Sequence, residues 1–197
     1  MQILGVNGSP VQRGSYALLQ QALKGARRAG ADSAFLDLND YTIEHCQGCD
    51  SCLKSESCVQ EDELEDVADR LPRADGLIFA APSHFGSVPA AMKNFMDRTR
   101  YLKMKGHVLQ DKPFAAISSS GLKHGGAEHV ISSLHYYALL QGMVVVGGVG
   151  DPRFEPSSVI GTRKADDGFR RVSQDTEALK LAGKLGERMV EISEKMQ

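Results

Sequence analysis

The sequence predicts a three-layer α/β fold, a five-stranded parallel sheet with helices on both faces. Three observations predict it. Short apolar runs alternate with helical patterns from one end of the chain to the other, the order that builds a parallel sheet. The 197 residues, 42% hydrophobic and 24% charged, supply one sizeable core without disulfide staples. Neither an internal repeat nor a low-complexity linker divides the chain, so residues 1–197 read as a single domain with a cysteine-rich loop at about 45–60.

The elements follow in order. Residues Gln2–Val6 form the first strand, and Ser15–Ala29 an amphipathic helix with Leu18, Leu19, Ala22, Leu23 and Ala26 inward. Ser33–Leu38 is the second strand. A polar, cysteine-containing stretch from about Asn39 to Gln60 leads to a short helix over Asp62–Leu71. Gly76–Ala81 is the third strand, Val88–Leu102 the third helix, Phe114–Ser118 the fourth strand and His124–Leu140 the fourth helix. The fifth strand spans Met143–Val149, and a loop follows to about Arg171. The closing helix carries Leu181, Leu185, Met189, Ile192 and Met196 on one face. Two doubly wound strand orders fit this list, and either one puts ligands at the carboxyl ends of the strands.

The net charge of −2 offers nothing to nucleic acid. No segment reaches the roughly 18 apolar residues of a membrane span, so no membrane insertion is expected. The start, MQILGVNGSP, lacks the basic n-region of a signal peptide. A cytoplasmic, reducing location is the expectation, and there cysteine clusters serve metals or redox chemistry more often than disulfides.

Three loops at the carboxyl edge share one character. Asn7-Gly8-Ser9-Pro10-Val11-Gln12-Arg13-Gly14-Ser15 opens a helix. Small residues there let backbone N–H groups face a phosphate, hydroxyls add donors, and Arg13 adds charge. The loop is neither a Walker A sequence nor a G-x-G-x-x-G fingerprint; a plain turn with Ser15 as N-cap is the alternative. The second loop, Pro82-Ser83-His84-Phe85-Gly86-Ser87, offers an aromatic ring, an imidazole and open amides to a planar heterocycle. The third, Ser118-Ser119-Ser120-Gly121-Leu122-Lys123-His124-Gly125-Gly126, is again small and polar before a helix. Together they suit one phosphorylated, ring-bearing ligand.

These segments carry a resemblance. The pattern GSPxxxGS, then APSHFGSVPAAMKNFMDR, then SSSGLKHGGAEHVISSL…GMVVVGG, resembles the flavodoxin-like FMN reductases. Within them it looks most like the iron-sulfur flavoproteins, with kinship to WrbA-type quinone reductases. The resemblance covers roughly residues 1–150 and implies the strand order 2-1-3-4-5. It also implies FMN, with the phosphate at Ser9, Arg13, Gly14, Ser15 and Tyr16. The ring would lie against Pro82, Ser83, His84, Phe85, Gly86 and Ser87, closed over by Ser118, Ser119, Gly121, Gly125 and Gly126. Two departures stand out: Ser15-Tyr16 where many relatives carry Asn-Thr, and His84 where a tyrosine is frequent.

All four cysteines fall in one 13-residue window, Cys46, Cys49, Cys52 and Cys58, spaced C-x2-C-x2-C-x5-C. Four thiolates in a compact loop can cage one ion or cap a cubane, and Gly48 permits the tight turn between the first two. A [4Fe–4S] cluster, a structural zinc, and disulfides or free thiols are the three readings. The compact motif after the second strand is also the distinguishing mark of the iron-sulfur flavoproteins.

Charge near this loop is uneven. From Asp37 to Asp69 there are eleven acidic residues and one lysine, Lys54, which predicts a low cluster potential. Lys93, Arg98, Arg100, Lys103, Lys105 and Lys112 form a basic counterpart, read as a solvated surface or a docking patch. His84 and His124 are the candidates for contact with the ring or for proton transfer. His45, His107, His129 and His135 read as structural.

The chemistry then belongs to the cofactors. The reading is an FMN-dependent oxidoreductase that passes electrons between a [4Fe–4S] cluster and FMN. An NAD(P)H-dependent FMN or quinone reductase, with zinc or nothing in the cysteine loop, is the alternative; a flavin-binding redox sensor without turnover is a third. The resemblance implies a ferredoxin or NAD(P)H as redox partner, a quinone or free flavin as acceptor, and a homodimer or homotetramer.

Overall fold

The computed structural model describes all residues from Met1 to Gln197. In chain order the elements are β1 (Gln2–Asn7), α1 (Gly14–Arg28), β2 (Asp32–Asp37), a 3-10 turn over Leu38–Asp40, α2 (Cys52–Ser55) and α3 (Leu64–Ala68). Then come β3 (Gly76–Pro82), α4 (Ala90–Arg98), α5 (Arg100–Met104), β4 (Pro113–Ser120), α6 (Ala127–Leu140) and β5 (Val144–Val145). The chain closes with β6 (Val159–Thr162), the hairpin β7 (Lys164–Ala165) and β8 (Gly168–Phe169), a 3-10 turn over Val172–Gln174, and α7 (Thr176–Lys195).

The main sheet runs β2-β1-β3-β4-β5, every pairing in it parallel, the order that the resemblance implied. Alternate strand residues feed two cores. Leu4, Val6, Leu77, Phe79, Phe114 and Ala116 pack on one face beneath α3, α4, α5 and α6. Ile3, Ile78, Ala80, Ala115 and Ile117 pack on the other beneath α1 and α7. Burial on both faces removes each strand's apolar side chains from water and supplies the main driving force for the fold. The five α1 positions expected inward are all buried. Helices α1 and α7 meet backbone to backbone: a Cβ on Gly186 would lie 1.8 Å from the Ala22 carbonyl oxygen. On α7 the predicted face holds through Met189, while Ile192 is half-buried and Met196 exposed.

Three elements differ from expectation. The fifth strand is cut to Val144–Val145, paired with Pro113 and Phe114. Beyond Val146 the glycines at 147, 148 and 150 offer no side chains to pack on a strand, and the chain leaves the sheet. It returns inside the expected loop as β6, which takes the place beside Ile117–Ser120. The third helix is broken at Thr99, whose hydroxyl bonds back to the carbonyl oxygens of Phe95 and Met96 and meets Tyr137 Oη at 2.9 Å. The fourth helix begins at Ala127, because Gly126 stands in the left-handed region at φ 81°. No helix is long and apolar enough to cross a membrane.

Candidate functional site

The carboxyl ends of β1, β3 and β4 bring the three loops together. The first is anchored from below by a polar network. Asn7, fully buried, donates through Nδ2 to Asp37 Oδ1 (3.0 Å) and to the Ser9 carbonyl (3.2 Å), and its Oδ1 accepts the Ser9 N–H. Asn39 reaches the same Ser9 carbonyl and Asp37 carboxylate, each at 2.6 Å. Asn7, Asp37 and Asn39 were not among the expected site residues. Their signal is a run of short polar residues at the ends of two adjacent parallel strands.

Within that loop Ser9 is committed inward, its hydroxyl donating to the Val11 carbonyl at 2.6 Å. Ser15 is different. It lies inside the first turn of α1, not at its N-cap, and its buried Oγ has no hydrogen-bond partner. Arg13 is the N-cap residue and is exposed. Tyr16 packs its ring edge-on against Phe35, centroids 5.5 Å apart, which occupies one flank of the ring. Gly14 abuts the third loop: a Cβ there would lie 2.8 Å from Ser119 Oγ.

The second loop is a two-residue hairpin. His84 and Ser87 exchange both backbone hydrogen bonds (2.9 and 3.1 Å) around Phe85 at φ 51° and Gly86 at φ 79°. Left-handed backbone at both central positions defines a type I′ turn. A phenylalanine there is strained, and its ring is fully exposed. Ser83 ties this loop to the third, its N–H donating to the Ser119 carbonyl (2.8 Å) and its Oγ to the Gly125 carbonyl (2.5 Å). A Cβ on Gly126 would meet Gly86 Cα at 2.6 Å, so the loops touch backbone to backbone. Ser118 Oγ is buried without a partner at the end of β4. Pro82 and Ser119 lie side by side in the β3–β4 register. Gly121 is exposed, as are His84 and His124.

Two buried, unpartnered hydroxyls remain, Ser15 in the first turn of α1 and Ser118 toward the end of β4. With the first N–H groups of α1 they are donors that would suit a bound anion and a polar ring edge, the two features FMN presents.

The four cysteines lie on the sheet face that carries α4 and α5. Cys46 and Cys49 are exposed, Cys52 and Cys58 half-buried, and all four line one cavity together with Asp97, Arg98 and Arg100. Gly48 turns the chain at φ 67° and Asp50 at φ 56°. Ser51 hydrogen-bonds the Cys49 sulfur through both hydroxyl and backbone and holds that thiol below its ordinary pKa, favouring the thiolate a metal needs. Four thiols lining one cavity offer the sulfur donor chemistry that zinc and iron–sulfur groups share.

Helix α4 holds this loop from beneath. Arg98 spans its two arms, donating to Asp62 Oδ2 (2.7 Å) and the Glu44 carbonyl (2.9 Å) through one terminal nitrogen and to Asp62 Oδ1 (3.0 Å) through the other. Burial drives the Asp62 carboxyl upward, but Arg98 and the N–H groups of Glu44 and Leu64 outweigh it, and the net shift is downward. Asn94 Nδ2 donates to the Ile43 carbonyl, and Arg100 pairs with Asp50 at 2.7 Å. The basic run is therefore not one solvated surface. Arg98 is buried, Arg100 pairs across to the cysteine loop, and Lys112 donates to the Ala74 carbonyl. The cavity also has arginines on its wall, so its surroundings are not uniformly acidic as the linear sequence suggests.

Comparison with known proteins agrees with this geometry. The family described as NADPH-dependent FMN reductase matches residues 1–152. An iron-sulfur flavoprotein of Archaeoglobus fulgidus is 36% identical over 194 residues, covering 98% of this chain and 96% of that protein. One from Methanocaldococcus jannaschii is 30% identical over 193 residues, covering 98% and 97%. Among solved structures, the flavodoxin, WrbA-like protein from Agrobacterium tumefaciens superposes with a TM-score of 0.66 at 16% identity, covering 100% of this chain and 99% of that one.

Proposed function

Since the chain belongs to the NADPH-dependent FMN reductase family and is a flavin-dependent oxidoreductase with a flavodoxin-like fold, we propose that it passes electrons between FMN at the strand-end loops and a [4Fe–4S] cluster at Cys46, Cys49, Cys52 and Cys58. One observation carries the reading. Helix α4, which begins directly after the Phe85 hairpin, ends at the arginine that clamps the cysteine loop, so one rigid element joins both candidate sites. The relatives' name, iron-sulfur flavoprotein, supports the pairing.

When bound, FMN exchanges one or two electrons and a cubane exchanges one, so the pair would connect two-electron and one-electron partners. The residues' part is positional. Ser15 Oγ and the first N–H groups of α1 would receive the phosphate, with Arg13 at the rim. Ser9 and Gly14 shape that turn. The hairpin from Pro82 to Ser87 and the segment from Ser118 through Gly121, Gly125 and Gly126 would border the ring. His84 and His124 are exposed on those two loops, within reach of solvent protons. Ferredoxin-like carriers, NAD(P)H and quinones are the partner classes that the reading expects. Assembly as a homodimer or homotetramer and residence in the cytoplasm belong to the same proposal.

Cys52→Ala tests the coupling. The variant should keep its flavin, lose its iron, and have that flavin reduced more slowly than the wild type by reduced ferredoxin, a one-electron protein donor. Full iron content, or an undiminished rate of flavin reduction by ferredoxin, would overturn the role of the cysteine loop.

A further inference from the structure

The Arg98 guanidinium is entirely buried, with 0% of its side chain exposed. Each of its terminal nitrogens has a partner in Asp62, and one also reaches the Glu44 carbonyl. Its Nε is buried as well and has no acceptor. Buried N–H groups are rarely left without a partner, and an exception calls for a reason. Arg98 lines the same cavity as the four thiols. Burial works against its charge, whereas Asp62 and then Cys58 favour it, and the net effect keeps it firmly protonated.

We propose that Arg98 is a positioning residue for the group held by the cysteines, offering its free Nε–H and its buried positive charge to the sulfur atoms of the cavity it shares with them. The inference rests on the cluster reading above. A donor and a positive charge beside a cluster sulfur stabilise the more negative, reduced state and raise the potential. Arg98 thereby opposes the acidic stretch on either side of the loop. Arg100, exposed and paired with Asp50, also faces the cavity but is screened by water. Lysine cannot replace Arg98, because one ammonium group cannot serve two carboxylate oxygens, a carbonyl and a sulfur in a fixed fork.

The test uses whole protein purified without oxygen, in three variants. Arg98→Lys keeps the charge and loses the fork. The double variant Asp62→Leu with Arg98→Met replaces the buried pair by apolar side chains, an exchange that folded proteins often tolerate. Asn94→Ala cuts a different tie between α4 and the loop, at Ile43, without removing Arg98. The cluster potential is read by redox titration followed by electron paramagnetic resonance, with iron and sulfide content and thermal midpoint alongside. Both Arg98 variants should favour the oxidised form at least tenfold more, a fall of about 59 mV for one electron, and Asn94→Ala should match the wild type. An iron-loaded Arg98 variant titrating at the wild-type potential overturns the proposal, as does an equal fall in Asn94→Ala. Wild-type protein without iron and sulfide defeats the cluster reading itself, a separate result.

Discussion

Asp62→Ala removes the partner of a buried charge, and the structure sets the size of the effect. The Asp62 carboxylate accepts both terminal nitrogens of Arg98 and the backbone N–H groups of Glu44 and Leu64. Its side chain is 7% exposed and that of Arg98 is 0% exposed, so the pair is largely shielded from water. Deleting one member of such a pair leaves an uncompensated charge and costs about 3–5 kcal/mol. In a chain of this length each kcal/mol moves the melting point by about 2–4 °C, so the variant should melt roughly 6–20 °C lower. The double variant Asp62→Leu with Arg98→Met should recover most of that loss. Differential scanning calorimetry of the flavin-free proteins measures both. Limited trypsinolysis adds a local readout: Lys54 is the sole lysine or arginine between Asp37 and Asp69, so freeing the loop arms should speed cleavage there. A shift of under about 2 °C with unchanged cleavage would mean that the pair does not anchor the loop.

Three further outcomes follow from the same structure. Ser15→Ala removes a buried hydroxyl that makes no internal hydrogen bond, so the melting point should hold while FMN dissociates more readily. Loss of a bond to a charged phosphate is worth about 1.5–3 kcal/mol, roughly tenfold to a hundredfold in Kd, and unchanged affinity by fluorescence titration would remove Ser15 from the site. Phe85→Gly relieves the left-handed strain at φ 51° and should stabilise the flavin-free protein by about 0.5–1 kcal/mol after the glycine entropy cost, while weakening flavin retention; a lower melting point would show that the exposed ring packs on the protein. Acid should destabilise the fold. The hydrogen bonds from Lys180 and Lys184 bring Glu155 down to about 2, and Asp62 is lowered too. Carboxyls depressed in the folded state contribute stability above their unfolded values near 4 and lose it as pH falls through their folded values. Urea midpoints should therefore drop between about pH 4 and pH 2, and a flat profile would contradict those ion pairs.

Much of the fold was legible because its signals are local. The α1 face announced itself by spacing, and the apolar runs marked four of the five expected strands. The edge of the sheet was not legible, because β5 and β6 share one edge of β4 through an excursion that a linear reading cannot see. Arg98 had a signal that its charge concealed. It follows Phe95 by three residues, as Phe95 follows Met92, and all three are buried on one helix face. Grouping it with the exposed lysines followed composition, whereas periodicity placed it inside. Its partner Asp62 lies 36 residues away, a pairing fixed only by tertiary structure. The cysteines were the reverse case, since four of them within 13 residues needed no fold to be recognised as one site.

The ratio of iron to flavin in protein purified without oxygen decides the account. About four irons and four sulfides per FMN are expected, with all of the iron lost in a variant lacking Cys46, Cys49, Cys52 and Cys58. Flavin accompanied by a single zinc, or by no metal, would contradict the electron-transfer reading and leave a flavin reductase whose cysteine loop serves another purpose.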